Sequence, residues 1–359
     1  MRLKSTSFFN LRNLENSSLN YSKDIHICYG KNGQGKTSLL EGIYFNLTGK
    51  SFRTKSAKEI IKYSSQDFGV YSEYSDTVSE KSIAAALKNG KKSYFFNKKK
   101  INFDEFIGKC SVISFIPEDI DIISGTPGTR REFFDYEISQ SNYDYYRSIT
   151  EFEKVLKTRN KMLSEKNSKN DIFEIYNLKY MELAAKIILK RAEYVKNISI
   201  LLNLNYRKLF DRECELKIVY SSFLGEIGKS GEEEILNSIK EEAKKHRERE
   251  IYSGFSMFGP QKDDYIFMLR EKDAKHYSSQ GEKRSIVFSL KVAEIDMILK
   301  EKKENPIFLI DDISAYFDRE RQLSVINYFK KRNIQTFITS TEELEIGNRL
   351  FFVEKGEIK

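Results

Sequence analysis

Apolar and polar positions divide the chain into three stretches. In the first, residues 1–115 read as mostly strand with one helix. A short apolar run at residues 24–29 enters a glycine-rich turn, and helical spacing follows over residues 37–45. Strand-like runs at 69–74, 82–87 and 111–116 surround a lysine-rich segment at 91–100, and Asn89-Gly90 predicts a two-residue hairpin turn. Pro117 and residues 125–128 break this pattern. Residues 129–245 are predicted to be largely helical. Phe173, Tyr176, Tyr180, Leu183 and Ile187 recur at helical spacing, continued by Tyr194, Ile198 and Leu201. The stripe is short and drifts in register, as in a helix packed on its own domain rather than a long coiled coil. Residues 167–171 read as a loop between two helices, and 232–250 as a charged, solvated helix. From Ser253 strand signals return. The apolar runs 306–310 and 336–339 suit buried parallel strands, with an amphipathic helix at 285–299 before them. The predicted class is α/β: a split domain, residues 1–120 and 250–359, with a helical lobe, 121–249, inserted.

Composition narrows the class. Hydrophobic residues are 40% and charged residues 32% of the 359, which suits a globular chain with a sizeable core. The net charge of +8 permits a polyanionic partner such as nucleic acid, although a lysine-rich proteome gives the same excess. Cys28, Cys110 and Cys214 are far apart, without CxxC spacing or a nearby histidine, which argues against a disulfide framework or a zinc site. His26, His246 and His276 read as structural or surface residues. No window approaches the ~18 apolar residues of a membrane span, and the N-terminus lacks a secretory h-region. A cytoplasmic location is expected.

Three segments carry candidate chemistry. Gly30-Lys31-Asn32-Gly33-Gln34-Gly35-Lys36-Thr37 fits the phosphate-binding pattern G-x-x-x-x-G-K-[ST], with the required strand before it and helix after it. The glycines let backbone N–H groups turn toward phosphate oxygens at a helix N-terminus. Lys36 is expected to bridge the β- and γ-phosphates of ATP, and the Thr37 hydroxyl to ligate Mg²⁺. The run 306–310 ends in Asp311 and Asp312. Asp311 is the candidate Mg²⁺ residue beside Thr37, and Asp312 the candidate catalytic residue that orients and deprotonates water. Third, Ser278-Ser279-Gln280-Gly281-Glu282 precedes the amphipathic helix. Its order before the acidic strand is similar to the signature of ATP-binding-cassette (ABC) ATPases, where Ser279 and Gly281 would grip the γ-phosphate bound to a second protomer; a simple helix N-cap is the structural alternative. Asp318 resembles that class's D-loop acid. Thr339-Ser340-Thr341 stands where many members carry a switch histidine.

Taken together, residues 30–54, 115–139, 143–163, 254–265, 279–298 and 307–322 resemble the RecF family of bacterial recombination-repair ATPases, over almost the whole chain. The TPGTRREFFD and VLKTRNKML segments are the most specific to that family. The resemblance implies an ABC/SMC-like P-loop head without long coiled-coil arms. It also implies an ATP-dependent homodimer with weak ATPase activity that binds DNA at single-strand gaps and stalled forks, working with RecR, and with RecO to help RecA load. It gives Arg53, in the KSFR segment, a place between nucleotide and DNA, with an ordinary surface arginine as the alternative. Lys98, Lys99 and Lys100 are candidate DNA contacts, with a solvated hairpin as the alternative. The chain departs from the family at Gln261-Lys262, usually histidine and arginine, and at Glu282, usually glutamine. Glu282 puts the hydrolysis rate and dimer stability in question. Rival readings are an SMC-like or OLD-type ATPase with a nuclease or defence role, a nucleotide-gated scaffold with little hydrolysis, and a transporter ATPase subunit.

Overall fold

The computed structural model describes every residue except 22–23, 169, 229 and 345–348. By its contacts the chain forms two units, Met1–Asp119 with Glu294–Lys359, and Ile120–Ala293.

In the first unit, β1 (Arg2–Phe9), β2 (Ser17–Asn20), β4 (Phe68–Ser75), β5 (Glu80–Lys88), β6 (Lys91–Phe96) and β7 (Lys99–Ile101) make an antiparallel sheet in the order β2-β1-β4-β5-β6-β7. The predicted hairpin joins β5 to β6. Asn89 and Gly90 both have positive φ (49° and 73°), as a type I′ turn requires. A second sheet has the order β15-β14-β3-β13-β12-β8, with β3 (Ile25–Tyr29), β8 (Val112–Phe115), β12 (Ile307–Ile310), β13 (Thr336–Ser340), β14 (Arg349–Glu354) and β15 (Glu357–Ile358). It is parallel except where β15 turns back on β14. The strands β3, β12 and β13 are buried nearly throughout, which is why they read as unbroken apolar runs.

Between the sheets lies α1 (Lys36–Thr48), touching β4 and β5 on one side and β8 and β13 on the other. A helix covered all round has no polar face, and α1 is buried at every position but Thr37. Its one buried amide is tied down: Asn46 donates to Ser72 Oγ (2.8 Å) and accepts from the Ala85 N–H (3.0 Å) of the antiparallel sheet. Two more helices, α2 (Phe103–Phe106) and α10 (Arg319–Lys331), complete the unit.

His26 is fully buried in β3, its ring stacked 4.6 Å from that of Phe337. Burial lowers its pKa to about 3, helped by the nearby Arg349 charge. The unfolded chain therefore binds a proton near pH 6.5 that the folded chain refuses. The stability this neutral ring permits is intact above pH 6.5 and declines as pH falls toward 3. His26→Phe is expected to remove about 2 kcal/mol of the stability lost between pH 6.5 and 5. Urea denaturation of both chains at the two pH values measures this, and parallel pH slopes would refute it.

In the second unit, α3 (Asp121–Ser124), α4 (Pro127–Ser141), α5 (Tyr143–Ser164), α6 (Asp171–Leu209), α7 (Glu232–Ser253) and α8 (Ala274–Tyr277) accompany a small antiparallel sheet, β11-β10-β9, made of β9 (Leu216–Ser221), β10 (Asp264–Leu269) and β11 (Lys272–Asp273). The helix α9 (Gln280–Lys302) crosses the division between units. Along α6 the expected stripe faces inward: Phe173, Tyr180, Leu183, Ile187 and Ile198 are buried, and Tyr176, Tyr194 and Leu201 half-buried. The expected 167–171 loop matches the described residues 167, 168 and 170, with Lys169 outside them and Asp171 already helical.

Two features differ from the sequence expectation. The stretch 129–245 is interrupted by β9, whose pairing with β10 lies far along the chain. For the same reason the unit ends at Ala293 rather than near 250, because β10 and β11 follow their partner β9.

Candidate nucleotide-binding site

The loop Gly30–Thr37 sits between the C-terminal end of β3 and the start of α1. Gly30 has φ 149°, and a Cβ there would lie 2.3 Å from the Val353 carbonyl oxygen, so no other residue fits. Gly35 caps α1 in a left-handed conformation (φ 117°) and offers no side-chain cap, which leaves first-turn N–H groups for an anion. Lys36 curls over the loop and donates from Nζ to the carbonyls of Gly30 (2.6 Å) and Lys31 (2.9 Å). Burial lowers its ammonium pKa against the opposing pull of Asp312 and Asp311.

Asp311 leaves the end of β12. The Thr37 hydroxyl lies 2.9 and 3.0 Å from its two oxygens. From β13, the strand between β3 and β12, Thr339 donates to Asp311 Oδ1 (2.7 Å) and accepts from the Asp312 N–H (2.7 Å). Thr339 thus acts as a rivet between the acidic strand and its neighbour. Burial pushes the Asp311 carboxyl above its ordinary value, against the bonds from Thr339 and Thr37. The adjoining hydroxyl and carboxylate oxygens are a donor set suited to a hard divalent cation. Asp312 stands in a left-handed conformation (φ 54°) and accepts from Ser314 Oγ (2.7 Å).

An open cleft of about 680 Å³ is lined by Asn32, Gly33, Gly35, Lys36, Thr37, Asp311, Asp312 and Thr339, and also by Arg12, Asn13 and Arg53. The Gln34 side chain turns from this group to accept from the Lys355 N–H (2.6 Å). Arg12 and Asn13 carried no recognisable spacing in the sequence. Arg12 is aimed by Glu41 of α1, which it grips through two bonds of 2.9 and 2.8 Å. Arg53 approaches the same carboxylate at 3.7 Å, and Ser51 donates to it. A signal existed: Glu41 is the one acid of α1, and it is fully buried.

Ser279 and Gly281 belong to the second unit. Ser279 forms a reciprocal cap with Glu282: the Glu282 carboxylate accepts from the Ser279 N–H and hydroxyl (both 2.9 Å), and Ser279 Oγ accepts from the Glu282 N–H (3.2 Å). This S-x-x-E capping box accounts for glutamate at that position and starts α9 five residues before the expected 285. The Glu282 pKa is lowered, mainly by the Ser279 N–H, with Arg270 bonded at 3.0 Å. Asp318 is the N-cap of α10, accepting from the Arg321 N–H at 2.9 Å. Lys98, Lys99 and Lys100 are exposed where β7 forms a sheet edge; charge there discourages edge-to-edge pairing.

A family model, the RecF/RecN/SMC N terminal domain, matches residues 2–354. A DNA replication and repair protein RecF from Natranaerobius thermophilus is 35% identical over 99% of this chain and 97% of its own length. One from Clostridium botulinum is 34% identical over the whole of both chains. The chain belongs to the RecF family. Among solved structures, the recombination mediator protein RecF with ATP in the RecFOR pathway superposes with a TM-score of 0.93, at 29% identity, over 100% of this chain and 97% of that one. An SMC head bound to the C-winged helix domain of ScpA, at 13% identity and TM-score 0.57, shares the fold alone.

Two of the segments that carry the resemblance lie inside the second unit, not at the nucleotide loop. From TPGTRREFFD, Arg130 makes two bonds to Asp264 (2.7 and 2.8 Å), Arg131 donates to the Asp263 carbonyl (2.7 Å), and Asp135 accepts two bonds from Arg191 (2.9 and 2.8 Å). From VLKTRNKML, Arg159 binds Glu250, Asn177 and Ser256. Gln261 donates to Tyr180 (2.9 Å) and to the Phe258 carbonyl (2.6 Å). No helix among the described residues is long and apolar enough to cross a membrane.

Proposed function

We propose that the protein is an ATP-dependent DNA-binding protein of recombinational repair and replication-fork maintenance, which clamps DNA at single-strand gaps as an ATP-driven homodimer with weak hydrolysis. The observation that carries this is the Thr37 hydroxyl set on the Asp311 carboxylate beside the phosphate loop. The relatives named for DNA replication and repair, and the ATP-bound relative of the RecFOR pathway, support the DNA side of the reading.

In this reading Gly30–Thr37 binds the triphosphate through backbone N–H groups, and Lys36 leaves its loop carbonyls to pair with the β- and γ-phosphates. Thr37 and Asp311 would hold Mg²⁺, which neutralises phosphate charge when bound. Asp312 orients water and takes its proton. Ser279 and Gly281 of a second copy close the site over the γ-phosphate. Arg53, anchored through Glu41, lies between nucleotide and DNA, and Lys98–Lys100 contribute to a phosphate-binding surface. RecR is the direct partner, with RecO and RecA downstream.

A second reading, a nucleotide-gated scaffold with little turnover, is favoured by one observation. The Glu282 carboxylate already takes the Ser279 donors that would otherwise meet the γ-phosphate.

Titration with gapped, duplex and single-stranded DNA, with and without ATP and across salt, tests the proposal. Affinity is expected to rise with ATP, to favour gapped DNA, and to fall steeply with salt as counterions are displaced. A flat salt response without ATP dependence would overturn it. Turnover measured alongside, with and without DNA, separates the hydrolysing clamp from the scaffold.

A further inference from the structure

A phosphate loop works only if its backbone already has the shape of the anion it receives. The backbone here adopts conformations that cost conformational entropy to hold, with φ of 149° at Gly30, 78° at Gly33 and 117° at Gly35. Something outside the loop must keep it so.

The contacts come from the turn of the β14–β15 hairpin, more than three hundred residues along the chain. Lys355 and Gly356 form a two-residue turn with φ of 50° and 84°. The Lys355 N–H donates to Gln34 Oε1 (2.6 Å) and the Gly356 N–H to the Gln34 carbonyl (3.0 Å). On the strand before the turn, the Val353 carbonyl lies against Gly30, near enough to exclude a Cβ. The Gly356 carbonyl accepts from the Glu15 N–H (2.9 Å), and a Cβ at Gly356 would stand 2.0 Å from the Asn13 carbonyl oxygen. Asn13 completes the frame, donating to the Gly33 carbonyl (3.1 Å) and accepting from Ser38 Oγ (2.9 Å).

We infer that the β14–β15 turn is a built-in brace for the nucleotide loop, and that Gln34 is a positioning residue, bound to the brace rather than to phosphate. The inference rests on the nucleotide reading above and deepens it. The brace sits in the last strand pair of the sheet, where β15 is an edge. Disturbance of that edge is therefore transmitted to the loop through Gln34 and Gly30.

The test is nucleotide affinity, with a fluorescent ATP analogue, in the full chain. Gln34→Met keeps side-chain length and removes the acceptor. It is expected to weaken binding about fivefold, with the nucleotide-free thermal midpoint within about 1 °C of the unaltered chain. Amide hydrogen exchange over residues 30–35 is expected to quicken, which a general loss of stability would not confine to that segment. Gly356→Ala is expected to weaken binding more, because its Cβ displaces the turn. Combining the two should add less than about twofold, since both act through one contact. Unchanged affinity and exchange in Gln34→Met overturn this inference alone. Absence of ATP binding by the unaltered chain overturns the nucleotide reading and this inference with it.

Discussion

Replacing Lys36 with methionine is expected to abolish ATP-induced dimerisation and to weaken ATP binding by about two orders of magnitude, roughly 3 kcal/mol. The ammonium is the cation buried at the loop, held over it by the Gly30 and Lys31 carbonyls. Methionine fills similar space without charge, so the β- and γ-phosphates lose their ionic partner while the loop keeps its glycines and its braces. The carbonyls released border an open cleft and are hydrated there, so folding stability should change by less than about 1 kcal/mol. Light scattering with and without ATP, beside a denaturation curve, separates the effects. A variant that still dimerises with ATP would overturn the ATP-driven homodimer.

The largest effect on stability is expected at Arg159, on α5. Its guanidinium is buried with Glu250, at 2.7 and 3.2 Å, and donates to Asn177 (3.1 and 3.0 Å) and Ser256 (2.6 Å). It also stands 4.8 Å from the centre of the Tyr180 ring. Arg159→Ala strips a buried carboxylate of its counter-charge and opens a cavity among three helices. The expected loss is about 3–5 kcal/mol in urea denaturation. Lysine should not rescue it, because one ammonium cannot reach Glu250, Asn177 and Ser256 in one plane. Arg159→Met combined with Glu250→Gln should recover part of the loss, since no charge then remains buried. A loss below about 1 kcal/mol for Arg159→Ala would contradict this account.

These two arginine and lysine positions show what could be read from the chain and what could not. The strand, loop and helix around Lys36 are local, so spacing and glycine content carried them, and the acids after β12 were legible for the same reason. Thr37 and Asp311 are far apart in sequence, yet their meeting followed from the known chemistry of the two motifs. Arg159 and Glu250 carry no such rule: their contact depends on how α5, α6 and α7 pack. β9 was hidden because its partner β10 follows only after a loop and the whole of α7. Glu282 was visible as part of S-x-x-E, but the same serine also fits a phosphate-gripping signature, and only the bonds to Ser279 show the capping role. Arg12 and Asn13 reach the cleft from the turn after β1, where no periodicity marks them.

The burial of α1 on all sides has a mechanical consequence. A helix with one solvent face can slide or tilt by repacking that face, whereas α1 is clamped between two sheets and pinned to one of them by Asn46. Its first turn carries Lys36 and Thr37, and its last turns lie against β4 and β5. A displacement at the phosphate end is therefore expected to reach the antiparallel sheet through α1.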